Sequence, residues 1–148
     1  RRAAETGLPL YLPHDVVIAE AIEIGAATQT VKADSVPPNG MILDIGPDSA
    51  SHFASVLGEM KTIVWNGPMG VCEVPPFERG SAVVAKAIAA STATSIIGGG
   101  STAEAVASFG LLDSMTHVST GGGASLEFLE GHQLPGVAAL DDTEGGTG

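Results

Sequence analysis

The chain has 148 residues with 17 acidic and 6 basic side chains, a formal charge of −11, and so offers no positive field to nucleic acid or to an anionic membrane surface; neither is expected as a partner. Hydrophobic residues make up 44% and charged residues 16%, too apolar for intrinsic disorder and enough to bury a core. The length suits one compact domain.

In chain order, the first 40 residues are the least legible. The run DVVIA at 15–19 reads as a strand that 28–33 is able to pair with, and Pro37-Pro38-Asn39-Gly40 is a turn. Strand candidates rich in Ile and Val follow at 41–45, 62–65, 94–97 and 116–119. Between them, 49–60 places Phe53, Val56, Leu57 and Met60 on one helical face. A second helix is expected over 77–90, where Val83, Val84, Ala87 and Ile88 are grouped. A third over 101–109 opens with Ser101-Thr102-Ala103-Glu104, a capping-box pattern, and stops at Gly110; a fourth over 124–130 stops at Gly131.

Uniformly apolar strands alternating with helices predict an α/β fold: a three-layer, Rossmann-like parallel sheet with helices on both faces. The chain starts at Arg1 instead of Met, which fits an incomplete domain cut from something longer. Residues 141–148 (DDTEGGTG) have no apolar anchor and are expected to form a disordered acidic tail. Cys72 is the only cysteine and cannot bridge internally, which fits a reducing, cytoplasmic setting. No apolar run approaches the roughly 20 residues that span a bilayer.

In open parallel sheets, ligands sit beyond the carboxyl ends of the strands. Three glycine clusters fall there: Asn66-Gly67-Pro68-Met69-Gly70, Gly98-Gly99-Gly100 and Gly121-Gly122-Gly123. A glycine turn feeding a helix exposes main-chain N–H groups at the positive end of the helix dipole and holds phosphate without basic side chains. No Lys or Arg occurs after Lys86, so the last two clusters must hold any anion by main-chain donors alone. Tight turns and close packing explain one such cluster; three on one edge favour a ligand site.

Gly98-Gly99-Gly100-Ser101-Thr102-Ala103 formally matches the G-x-G-x-x-A dinucleotide pattern. That motif wants an acidic residue about 20 positions on, and Asp113 comes too early. No G-x-x-x-x-G-K-[ST] loop is present. Glu73 is either a ribose acceptor or a solvated carboxylate, Ser101 either a helix cap or a hydroxyl offered to phosphate or metal-bound water, and Asn66 either a ligand contact or a turn former. His14, His52, His117 and His132 show no metal spacing, and Cys72 has no companion for a zinc site.

TIVWNGPMGVCE (62–73), SIIGGGSTAEAV (95–106), HVSTGGGASLEFLEG (117–131) and LPGVAAL (134–140) together resemble the phosphoglycerate kinase family, as do MILDIGPDS (41–49) and LPLYLPHDVVIAE (8–20). The resemblance covers nearly all of the chain except its last eight residues. It implies phosphoryl transfer between 1,3-bisphosphoglycerate and ADP, with residues 1–140 forming the later part of the C-terminal, nucleotide-binding domain. The implied cofactors are ATP/ADP and Mg²⁺. The implied partners are nucleotide and, through a missing N-terminal domain, 3-phosphoglycerate, in a monomeric parent enzyme.

Carried over by motif, Glu73 would meet the ribose, and Asn66 and Pro68 would lie along the nucleotide. Gly99, Gly100, Ser101 and Thr102 would meet its phosphates. Gly100 and the amides of Gly121, Gly122 and Gly123 would face the transferred group, and Ser101 would stand at the metal. The family commonly has aspartate where Ser101 stands and phenylalanine where Cys72 stands. Its phosphate-contacting lysines are expected upstream of Arg1 and its substrate-binding arginines in the absent domain, so the chain alone is expected to be inactive. Two other readings remain: a non-catalytic nucleotide-binding or interaction module on the same scaffold, and, far behind, an NAD-type dehydrogenase domain.

Overall fold

A computed structural model describes residues 5–140. The expected acidic tail at 141–148 lies outside the described residues. Among the described residues the first strands are β1 (Asp15–Ala19), β2 (Gln29–Lys32) and β3 (Met41–Ile45). Helix α1 (Pro47–Gly58), strand β4 (Thr62–Asn66), helix α2 (Arg79–Ala90) and strand β5 (Thr94–Gly98) come next. Helix α3 (Gly100–Ser108), a 3-10 turn at Leu112–Ser114, strand β6 (His117–Ser119), helix α4 (Gly122–Leu129) and the short helix α5 (Pro135–Ala138) complete the order.

Strands β4, β5 and β6 form the expected parallel sheet, with β5 in the centre and helices α2 and α3 in the two connections. Strand β3 does not join it. It pairs antiparallel with β1, whose other edge pairs antiparallel with β2, in a separate three-stranded sheet. The reason is physical: main-chain hydrogen bonds choose the partner, and the side chains of MILDI report only that the strand is partly buried.

The main core lies between the parallel sheet and its helices. Ile63 and Trp65 from β4 and Ile97 from β5 meet Val84, Ala85 and Ile88 of α2, Val106 of α3 and Met115. Along β4 these buried residues alternate with exposed Thr62, Val64 and Asn66, the period of two that puts one face of a strand inward. Burying each large aliphatic side chain contributes about 1.5–3 kcal/mol. A smaller cluster of Ala19, Leu43 and Phe77 seals the second sheet.

Two buried carboxylates of the antiparallel sheet reach helix N-termini. Asp15 accepts hydrogen bonds from the amides of Asp48 (3.1 Å) and Ser49 (2.7 Å) and from the Ser49 hydroxyl. It thereby caps α1, whose own N-cap residue, Gly46, has no side chain to do so. Burial opposes the charge on Asp15, but these hydrogen bonds outweigh it and hold the carboxyl below its usual value. Asp44 accepts from the amides of Gly80 (2.7 Å), in the first turn of α2, and Ile45 (2.8 Å). There burial dominates and pushes the carboxyl up to about 6.

The two groups act in separate pH windows. Asp44 has a folded value above its unfolded one, so its contribution is complete below about pH 4 and disappears as pH rises past about 6. Urea unfolding between pH 5 and pH 7.5 should therefore show stability falling by about 1.4 kcal/mol with rising pH, since each tenfold change in proton affinity is worth roughly 1.4 kcal/mol and the earlier part of the loss lies below pH 5. Asp44→Asn should flatten that slope whatever its constant offset; an unchanged slope in the variant would contradict the assignment.

Candidate functional site

The three parallel strands end level with one another. Asn66 pairs with Gly98 and Gly98 with Ser119, so the connections leaving all three strands start from one sheet edge. There the chain turns sharply into a helix twice. Gly99 has φ +94°, a left-handed conformation that a side chain resists, and α3 begins at the next residue. Gly121, at an ordinary φ of −87°, directly precedes α4, so the last two glycine runs are wound partly into first helical turns. The capping-box expectation is corrected here: Gly99 occupies the N-cap position, and Ser101 is already the second residue of α3.

The glycine clusters touch. A Cβ on Gly122 would lie 2.9 Å from Gly99 Cα and 3.3 Å from Gly99 N, a backbone approach that only glycine permits. The side-chain amide of Asn66 donates to the Gly122 carbonyl at 3.2 Å, joining the end of β4 to the start of α4. Gly67 donates its N–H to Thr102 Oγ1 (2.8 Å), and Gly99 donates to the Ser119 carbonyl (2.9 Å). These bonds fix the N-termini of α3 and α4 beside each other.

The rim is electropositive although it has no cation. The first intrahelical bonds are from Ala103 to the Gly99 carbonyl and from Ser125 to the Gly121 carbonyl. The amides of Gly100, Ser101 and Thr102, and of Gly122, Gly123 and Ala124, precede them and have no acceptor within their own helices. Two helix N-termini each contribute roughly half a positive charge, and neither first turn contains an acidic residue. Such an arrangement suits a polyanion of more than one phosphate.

The sequence-predicted residues separate into three groups. Gly100, Ser101, Gly122 and Gly123 stand in the two first turns, and Ser101 is exposed. Asn66, Gly99 and Thr102 hold the rim together: the Gly99 amide is already engaged, and Thr102, only 1% exposed, has its hydroxyl on Gly67. Gly121 donates to Ser119 Oγ at 3.3 Å, which leaves it framing the turn. Pro68 and Glu73 lie along the loop that leaves β4. Within that loop, Met69 is fastened to Ser81 Oγ (2.8 Å) and Val71 to the Leu43 carbonyl (2.9 Å), and Glu73 is exposed beyond them. For Gly70 the packing explanation holds, since a Cβ there would meet the backbone of Phe77 and Leu43.

Ser119 was missed by sequence reasoning. Its carbonyl positions Gly99, and its hydroxyl meets Gly121 N and Ser125 Oγ (3.2 Å). The signal that could have found it was a polar residue at the carboxyl end of an apolar strand, directly before a glycine run. Among the described residues no group of three or more His, Cys, Asp or Glu forms a metal-type cluster. The His52 ring packs edge-on against Tyr11 and His14 and tilted against Phe53. Cys72 Sγ bonds to Ser81 Oγ at 3.0 Å, and burial pushes its thiol up, away from the reactive thiolate. Among the described residues no helix is long and apolar enough to cross a membrane. A cavity of about 650 Å³ lies away from the rim beside Ile18, Glu20, Gln29 and Gly40. Its location gives it no share in the amide arrangement, so size alone does not make it the better site.

The family model described as phosphoglycerate kinase matches residues 1–132. A phosphoglycerate kinase of Herpetosiphon aurantiacus is 52% identical over 136 residues, 92% of this chain and 34% of that protein. One of Rubrobacter xylanophilus is 53% identical over 135 residues, 91% and 34% respectively. Among solved structures, the phosphoglycerate kinase of Coxiella burnetii superposes with a TM-score of 0.86 at 44% identity, covering 93% of this chain and 35% of its own. That of Pyrococcus horikoshii gives 0.79 at 34% identity, covering 93% and 34%. The chain thus spans about a third of the length of the curated relatives it matches.

Gly122→Ala tests the backbone contact. It should destabilise the fold by about 1–3 kcal/mol and shift the amide resonances of residues 98–102. Gly123→Ala, where an added Cβ has nothing within 4 Å, is the control and should stay within about 1 kcal/mol of wild type. Equal effects of the two substitutions would mean that the contact does not set the rim.

Proposed function

Because the chain belongs to the phosphoglycerate kinase family, we propose that it is the nucleotide-binding part of a cytoplasmic glycolytic kinase that transfers a phosphoryl group between 1,3-bisphosphoglycerate and ADP. The observation that carries this reading is the juxtaposition of two helix N-termini across the Gly99 and Gly122 contact, directly beyond three parallel strands. The amides of Gly100 and Ser101 hold the nucleotide phosphates, with buried Thr102 fixing the turn that presents them. Those of Gly122 and Gly123 face the transferred group, and Gly121 frames their turn. Asn66 and Pro68 flank the nucleotide, and the Glu73 carboxylate accepts from the ribose.

Phosphoryl transfer requires in-line positioning and stabilisation of charge that spreads over the oxygens of the moving group. Preorganised amides do this without reorganising during the reaction, and they act most strongly where water is excluded. The 3-phosphoglycerate and the cationic groups that hold it belong to the remaining two thirds of the relatives' length. The chain by itself supplies the main-chain half of the apparatus and is inactive. A non-catalytic nucleotide-binding module on the same scaffold is the second reading, favoured by Ser101, a neutral hydroxyl at the start of α3.

A coupled assay of ATP formation separates these. The isolated chain should show no turnover, while a longer polypeptide that joins it to the remaining family segments should turn over. In that polypeptide Gly122→Ala should lower kcat/KM about 100-fold, the scale expected for an ångström-sized misplacement of catalytic donors. Turnover by the isolated chain contradicts the division of labour, and a silent full-length protein favours the non-catalytic module.

A further inference from the structure

The Mg²⁺ that the family implies needs hard oxygen ligands, normally one or two carboxylates together with phosphate and water. The rim does not offer them. Asn66, Gly67, residues 98–102 and residues 119–124 include no Asp, Glu, His or Cys. The first turns of α3 and α4 are both free of acidic side chains. Ser101 is exposed, its hydroxyl makes no hydrogen bond among the described residues, and it supplies one neutral side-chain oxygen. Glu104, also exposed, lies three residues deeper into α3, and a single carboxylate a turn away does not build a cage. The dominant groups of the rim are N–H donors at two helix N-termini, whose partial positive charge attracts anions and repels a dication.

We infer that this rim binds polyphosphate directly, with no metal ligated by the chain, so that metal-free ADP binds at least as tightly as Mg-ADP. The inference rests on the proposed nucleotide-binding reading and adds a charge preference to it. Free ADP carries more negative charge than its magnesium complex, and a rim made of dipoles with their positive ends outward favours the more anionic form. Any cation present is held by the nucleotide and water. Ser101 is the position where this preference reverses: a carboxylate there repels bare phosphate and offers a hard ligand to the metal.

The test is an ADP titration of the 148-residue chain, followed through the amide resonances of residues 99–102 and 121–124, in EDTA and again in excess Mg²⁺. The same pair of titrations is run on Ser101→Asp. Wild type should bind in EDTA as tightly as in Mg²⁺ or up to several-fold tighter. Ser101→Asp should lose about tenfold in EDTA and recover in Mg²⁺. Wild-type binding that strengthens tenfold or more with Mg²⁺ overturns the inference and leaves the nucleotide-binding reading standing. An absence of rim shifts in both media at millimolar ADP overturns that reading, and the inference with it.

Discussion

The architecture of the site depends on one backbone contact, the meeting of Gly99 and Gly122 at a distance no side chain would allow. Helix N-termini repel each other electrostatically, since each ends in unpaired N–H groups. Holding two of them side by side requires a compensating attachment. The fold supplies it through neutral hydrogen bonds from three strand ends: Asn66 to Gly122, Gly67 to Thr102, and Gly99 to Ser119. Because these partners are polar but uncharged, they fix the geometry without cancelling the field.

The same logic appears with opposite sign away from the rim. At α1 and α2 the fold places carboxylates, Asp15 and Asp44, against the helix N-termini and thereby closes them to ligands. At α3 and α4 it leaves the equivalent positions to glycine, so the amides face outward. Four helices of one chain thus divide into two capped internally and two left open at a shared edge. A polypeptide with a formal charge of −11 can in this way present a local positive surface without a basic side chain in it.

Much of this was legible in the sequence because it is local. Strands β1 and β3 fall where their apolar runs are, and the glycine runs sit at the carboxyl ends of strands, where parallel topology brings them together. Helix starts were displaced by one or two residues, since Gly100 and the pair Gly122 and Gly123 read as loop but are wound into first turns. The features that were not legible depend on pairing at long range. The antiparallel partnership of β3 with β1, the capping of α1 by Asp15 from 34 residues away, and the dual role of Ser119 leave no mark in the neighbouring residues. Nor did the spacing of Thr102 reveal that its hydroxyl would be buried under Gly67.

The most direct measurement is a structure of a nucleotide complex of this chain within its longer polypeptide. The account predicts phosphate oxygens about 3 Å from main-chain nitrogens of residues 100–101 or 122–124. Phosphates seated instead in the cavity beside β1 and β2, or held by side chains with those amides still facing water, would contradict it.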